Sequence, residues 1–175
     1  MLQVTKGVTI NRPKQEVYAF WRDFTNFPQF MMHVQQVVTT GDRSSHWMVA
    51  APAGGQVEWD AEIVEDRPNE VIAWRSLEGS DVRHDGSVSF TTAPADRGTE
   101  VQVTLRYDPP GGKAGSALAT LFGEEPAQQL KDDLRRFKQV METGEVVRSE
   151  GSLDGAGEGA SRERAAQAPG PEVRS

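Results

Sequence analysis

Between Val34 and Tyr107 the chain is cut into six β-rich runs by clusters of turn-forming residues, and this segmentation limits the possible folds more than any other feature. The runs are Val34–Thr40, Ser45–Ala51, Gln56–Glu65, Val71–Leu77, Val82–Thr92 and Thr99–Tyr107. They are parted by stretches such as Gly41-Asp42-Arg43 and Pro52-Ala53-Gly54-Gly55. Parallel neighbours need a crossover of about a dozen residues or more, so connections this short predict an antiparallel meander.

The flanks complete the pattern. Val4, Lys6, Val8 and Ile10 alternate with Gln3, Thr5, Gly7 and Thr9, the period of a strand with one buried face. Pro13 suits a first helical turn, and Val17, Phe20, Trp21 and Phe24 then form a one-sided helical stripe. Thr25-Asn26 is placed to break and recap that helix before a second short one through Phe27, Phe30 and Met31. The last element, from Ala114 to Met141, carries Leu118, Leu121, Phe122, Leu130, Leu134, Phe137 and Met141 at helical spacing. It has an interruption at Gly123-Glu124-Glu125-Pro126 and a stop at Gly144. At about 1.5–3 kcal/mol for each large apolar side chain buried, this stripe supplies on the order of 10 to 20 kcal/mol toward docking on the sheet. The expected fold class is α+β: a curved antiparallel sheet of about seven strands wrapped around a long C-terminal helix, with two short helices after the first strand.

Several words recur in a familiar order. They are Trp21-Arg22-Asp23-Phe24-Thr25-Asn26-Phe27-Pro28-Gln29-Phe30-Met31, Val57-Glu58-Trp59-Asp60-Ala61-Glu62-Ile63, Pro68-Asn69-Glu70-Val71-Ile72-Ala73-Trp74, Gly86-Ser87-Val88-Ser89-Phe90 and Gly98-Thr99-Glu100-Val101, followed by Glu124-Glu125-Pro126 and Asp133-Leu134-Arg135-Arg136-Phe137-Lys138. Over Val4 to Glu145 the chain resembles the polyketide cyclase and dehydrase branch of the START-like superfamily, which also contains lipid-binding and coenzyme Q-binding branches. The resemblance implies a helix-grip fold with an apolar cavity between sheet and closing helix. An empty void costs about 24 cal/mol per Å³, so a cavity of a few hundred Å³ is expected to hold water or a ligand.

The residues expected to face that ligand are Trp59, Ile63, Trp74, Phe90, Leu105 and Tyr107 from the strands, and Phe122, Leu130, Leu134 and Phe137 from the helix. Tyr107 and the two tryptophans add polar handles for a buried carbonyl or hydroxyl. Glu58, Asp60 and Glu62 alternate with Trp59 and Ile63 and are expected to point to solvent. Arg75, Arg83, His84 and Asp85 flank the turn at Gly79 and offer two readings, groups that orient a polar substrate at a pocket mouth or, the expected one, exposed charge alone. No catalytic residue is assigned. Three readings follow: a module that binds a hydrophobic small molecule (lipid, quinone or polyketide-like), a cyclase/dehydrase-type enzyme using the same cavity, or an interaction protein whose acidic surface or tail meets a partner.

Composition narrows the partners. A net charge of -7 argues against nucleic acid and anionic membranes, and the absence of cysteine rules out disulfides and thiolate metal sites. His33, His46 and His84 lack metal-ligand spacing, so neither metal nor cofactor is expected. The first residues lack the pattern of a secretory signal and no run is long enough to span a bilayer, which suggests a cytoplasmic protein. Residues 149–175 are rich in Gly, Ala and Glu, with Leu153 and Val173 the only large aliphatics, so a disordered tail is expected after a domain at 1–148.

Overall fold

All seven expected strands form: β1 (Leu2–Ile10), β2 (Val34–Thr39), β3 (Ser44–Ala50), β4 (Gln56–Arg67), β5 (Val71–Ser76), β6 (His84–Thr92) and β7 (Thr99–Tyr107). They make one antiparallel sheet in the order β1-β7-β6-β5-β4-β3-β2, so β2 through β7 are a simple meander and β1 returns to the far edge. The computed structural model describes residues 2–50, 56–80, 82–107 and 125–144, and these belong to one unit ending at Gly144. The expected tail, Phe122, and the helical stretch from Ala114 to Gly123 lie outside the described residues.

Two helical pieces follow β1. Helix α1 (Lys14–Arg22) buries Val17 and Trp21. It ends at Asp23 rather than at Thr25-Asn26: the Asp23 carboxylate accepts the Thr25 backbone N–H at 3.1 Å and its hydroxyl at 2.6 Å. A carboxylate oxygen satisfies the free donors of the next turn, which here is a 3-10 segment over Phe24–Gln29. The closing helix α2 (Pro126–Thr143) starts with Pro126 in its first turn and stops at Gly144, whose φ of 80° lets its N–H reach the Val140 carbonyl at 2.9 Å.

The apolar faces meet in one core. Along β4 the alternation is strict, with Val57, Trp59, Ala61 and Ile63 buried. A bulge between Ile63 and Glu65 then adds one residue, leaving Val64 exposed at 47% and turning Asp66 toward α1. There Asp66 accepts the Tyr18 hydroxyl and, at 2.8 Å, Arg22 Nε. A second bulge, at Val34/Gln36, explains why Val34 and Val37 of β2 are both buried at a spacing of three.

Helix α2 is held at two points. Near its C-terminus the Glu142 carboxylate accepts the Asn11 backbone N–H at 2.6 Å and Lys138 Nζ at 2.6 Å, while Arg12 donates to the Glu142 carbonyl at 2.8 Å. Near its middle Arg136 Nε donates to the Phe30 carbonyl at 3.1 Å. Among the described residues no helix is long and apolar enough to cross a membrane.

Candidate ligand site beneath the closing helix

The inner face of the sheet is covered by aromatic rings. Trp21 of α1 packs against Phe27, Phe30 and Phe137 with centroids 5.4, 5.3 and 5.2 Å away, and against Trp74 of β5 at 6.3 Å. Trp47 of β3 stacks on Trp59 of β4 at 5.6 Å and 22°. The cavity of a few hundred Å³ is expected beneath a helix that begins at Ala114, of which residues 114–124 lie outside the described residues. Among the described residues, Met31, Trp47, His84, Leu105, Gln129, Leu130 and Asp133 line a space of about 10 Å³, room for one water. Among the described residues, aromatic side chains from the strands and helices pack over the concave face.

Trp59, Ile63, Trp74, Phe90, Leu105, Tyr107, Leu130, Leu134 and Phe137 are all buried in the core between sheet and helix. Leu105 and Leu130 line the residual space itself. Glu58 and Asp60 are on the outer face, where they hold His46 at 2.7 and 2.9 Å, and Glu62 pairs there with Arg75 at 2.9 Å.

His84 overturns the reading of an exposed turn flank: it is 4% exposed. It begins β6, where His84, Gly86, Val88 and Phe90 alternate on the inner face, a period visible in the sequence but obscured by the neighbouring turn. Its ring stands edge-on to Trp47 and Trp59, at 6.1 and 6.3 Å, and burial brings its imidazole down to about 4, so it is neutral at neutral pH.

Asp133 is the second polar residue that sequence reasoning passed over. It falls inside the stripe Leu130, Leu134, Phe137, and it is 6% exposed. Its carboxylate accepts Gln129 Nε2 at 2.9 Å, Arg136 Nη2 and the Met32 backbone N–H. Burial still outweighs these donors and pushes its carboxyl up to about 6. His84 and Asp133 therefore border one small space with their ionisation moved in opposite directions. Among the described residues no group of three or more His, Asp or Glu is placed to hold a metal ion.

Hydrogen bonding sorts the tryptophans. Trp47 Nε1 donates to Ser45 Oγ at 3.0 Å. The indole N–H groups of Trp21, Trp59 and Trp74 are buried with no acceptor among the described residues. An unmet buried donor costs about 1–3 kcal/mol, and such groups are uncommon in folded proteins.

The family described as polyketide cyclase/dehydrase and lipid transport matches residues 10–135. The chain belongs to that family. It is 32% identical over 144 residues to an uncharacterized 17.2 kDa protein of Streptomyces lincolnensis, a match covering 81% of this chain and 91% of that one. It is also similar to the crystal structure of DR_A0006 from Deinococcus radiodurans, with 42% identity and a TM-score of 0.67 over 82% of this chain and 99% of that one. A START superfamily protein from Mycobacterium smegmatis shares the fold, with 15% identity and a TM-score of 0.57 over 80% of this chain and 97% of the other. The helix-grip architecture of the START-like superfamily and the family membership thus agree with the sheet and helix described above.

Proposed function

We propose that this protein binds a hydrophobic small molecule between the inner face of the sheet and α2. The observation that carries the reading is the set of buried indole donors at Trp59 and Trp74, on the concave face of a fold whose family is described by lipid transport and polyketide chemistry. A ligand carbonyl or hydroxyl would accept from them and its apolar body would replace ring contacts. Without ligand the aromatic side chains occupy the space; with ligand they yield, at a cost limited to side-chain repacking. The test is native mass spectrometry of the protein purified from cells, followed by titration with the neutral apolar probe 1-aminoanthracene. A co-purified apolar molecule or saturable probe binding supports the reading, and a protein that is empty and does not take up the probe removes it.

His84 and Asp133 favour a second reading, a cyclase/dehydrase-type reaction in the same space. A carboxylate whose pKa is about 6 suits a general base for a proton next to a carbonyl, and a neutral imidazole can return a proton to oxygen. Turnover of a β-diketone model substrate that is lost in Asp133→Asn while probe binding persists would establish it; binding without turnover leaves the carrier role.

A further inference from the structure

The elements that cover the concave face differ in how they are tied down. Helix α2 is bound to the β1–α1 corner through Glu142 and through Lys138 Nζ, which donates to the Thr9 carbonyl at 2.8 Å. Helix α1 is bound to β4 by Tyr18 and Arg22 on Asp66, and Arg22 also donates to the Asp42 carbonyl at 3.0 Å. Strands β3 to β7 each have a hydrogen-bonded neighbour on both sides. The 3-10 segment Phe24–Gln29 is different. Among the described residues, every hydrogen bond it makes stays within residues 20–31, so its hold on the sheet is apolar contact.

Two rings make that contact. Phe24 and Phe27, both buried, stack on each other at 4.6 Å. Phe24 meets Trp47 at 6.1 Å and Trp74 at 5.5 Å, and Phe27 meets the same two at 5.4 and 6.3 Å. Behind them Trp74, only 1% exposed, carries an indole N–H with no acceptor among the described residues. Ring contacts have little directional preference beyond their packing, so another apolar body laid on Trp47 and Trp74 replaces them without breaking a hydrogen bond between elements. Displacing α1, α2 or a strand instead leaves buried polar groups unpaired, which is costly.

Both flanks of the segment are pinned. Arg22 on Asp66 lies just before it, and just after it the Phe30 carbonyl accepts Arg136 Nε while the Met32 N–H donates to Asp133. Asp23 (φ -90°, ψ 93°) and Phe30 (φ -134°, ψ -20°) leave the helical conformation on either side, so a change of dihedral angles there moves the six residues between them as a unit.

We propose that Phe24–Gln29 is the lid of the interior site: hinged at Asp23 and Phe30, it swings off Trp47 and Trp74 while α1, α2 and the sheet keep their bonds. This rests on the binding role proposed above and specifies which element yields to the ligand.

The test is fluorine NMR of the full chain carrying 4-fluorophenylalanine, with resonances assigned by single Phe→Leu variants. Saturation with 1-aminoanthracene is expected to shift Phe24 and Phe27 clearly more than Phe90, which sits on β6 against Tyr18. Without ligand, relaxation dispersion should show exchange at Phe24 and Phe27 and none at Phe90. Asp23→Ala removes an exposed carboxylate whose bonds to Thr25 span the first hinge, and it should speed that exchange about ten-fold. Bound probe that moves Phe24 and Phe27 no more than Phe90, or exchange that is uniform over all the rings or indifferent to Asp23→Ala, would overturn the lid while leaving interior binding intact. Absence of probe binding overturns the interior reading on its own, and the exchange measured without ligand then still decides whether the segment opens.

Discussion

Trp74 and Gly86 face each other across β5 and β6, and the indole takes the room a side chain at position 86 would need: a β-carbon there would stand 2.5 Å from Trp74 Cζ2 and 3.0 Å from Leu105 Cδ2. The ring is rigid and packed among Trp21, Phe24 and Phe27, so it has no free direction in which to move. Gly86→Ala should therefore destabilise the fold by about 1–3 kcal/mol, the usual penalty of overpacking. Urea denaturation followed by tryptophan emission checks this, and an unchanged midpoint would refute it.

His84 and Asp133 should give stability opposite dependences on pH. Asp133 titrates near 6 when folded against an ordinary 3.8, so the stability it contributes is complete below the ordinary value and is lost as pH rises through about 6. His84 titrates near 4 against 6.5, so its contribution is complete above 6.5 and is lost as pH falls through about 4. Each effect is on the order of 2 to 3 kcal/mol, and they oppose each other within that window. His33, lowered by burial and by Arg136, acts in the direction of His84 in every variant. Asp133→Asn should thus steepen the loss of stability on acidification, whereas His84→Asn should flatten or reverse it. Parallel pH profiles for the two variants, from chemical denaturation, would contradict this.

On the outer face, His46 is gripped by Glu58 and Asp60 through both ring nitrogens, and these bonds raise its pKa above the ordinary value. Its contribution to stability is present below 6.5 and is lost as pH rises through the higher folded value. Proton NMR should find its midpoint above that of a free histidine and returning toward it in Glu58→Gln. High salt should shrink the shift, because these groups are partly exposed.

Glu142 ties the end of α2 to the β1–α1 corner through the Asn11 backbone N–H, and the bonds from Lys138, one turn back in the same helix, and from Asn11, with Arg12 nearby, hold its carboxyl below the usual range. Glu142→Ala should free the Asn11 amide and loosen the last turn of α2 while leaving the sheet intact. Hydrogen exchange should rise about ten-fold or more in that turn, for a loss of about 1.5–3 kcal/mol per charge-assisted bond. Uniform exchange across the whole chain would point to global destabilisation instead.

Strands and helices were legible because their signals are local. The alternation in Val57, Trp59, Ala61 and Ile63 and the turn cluster at Asp66–Asn69 lie within a few residues of one another. The bulge at Val64 was not legible, since nothing near it distinguishes an inserted residue from a regular one; only the pairing of Ile63 with Trp74 and Glu65 with Ala73 reveals it. His84 was missed although its spacing to Gly86, Val88 and Phe90 was available, because a histidine beside Arg83 and Asp85 looks like surface. Asp133 was missed for the same reason. The ring packing on the inner face was beyond any local pattern: it depends on how Trp21, Phe27, Phe30 and Phe137, brought from three separate elements, meet one another.

The return of β1 to the far edge of the sheet has a consequence for biosynthesis. Its partner β7 lies about a hundred positions downstream, with Thr5 and Thr104, which share a hydrogen bond, 99 residues apart. The hairpins of the meander can close one after another as they leave the ribosome, but the first strand to emerge is among the last to find its place. Until then its apolar residues, Val4, Val8 and Ile10, wait without a sheet to cover them, and so does the edge of β7. Nascent chains stalled before Thr99 should accordingly be the form most in need of a chaperone.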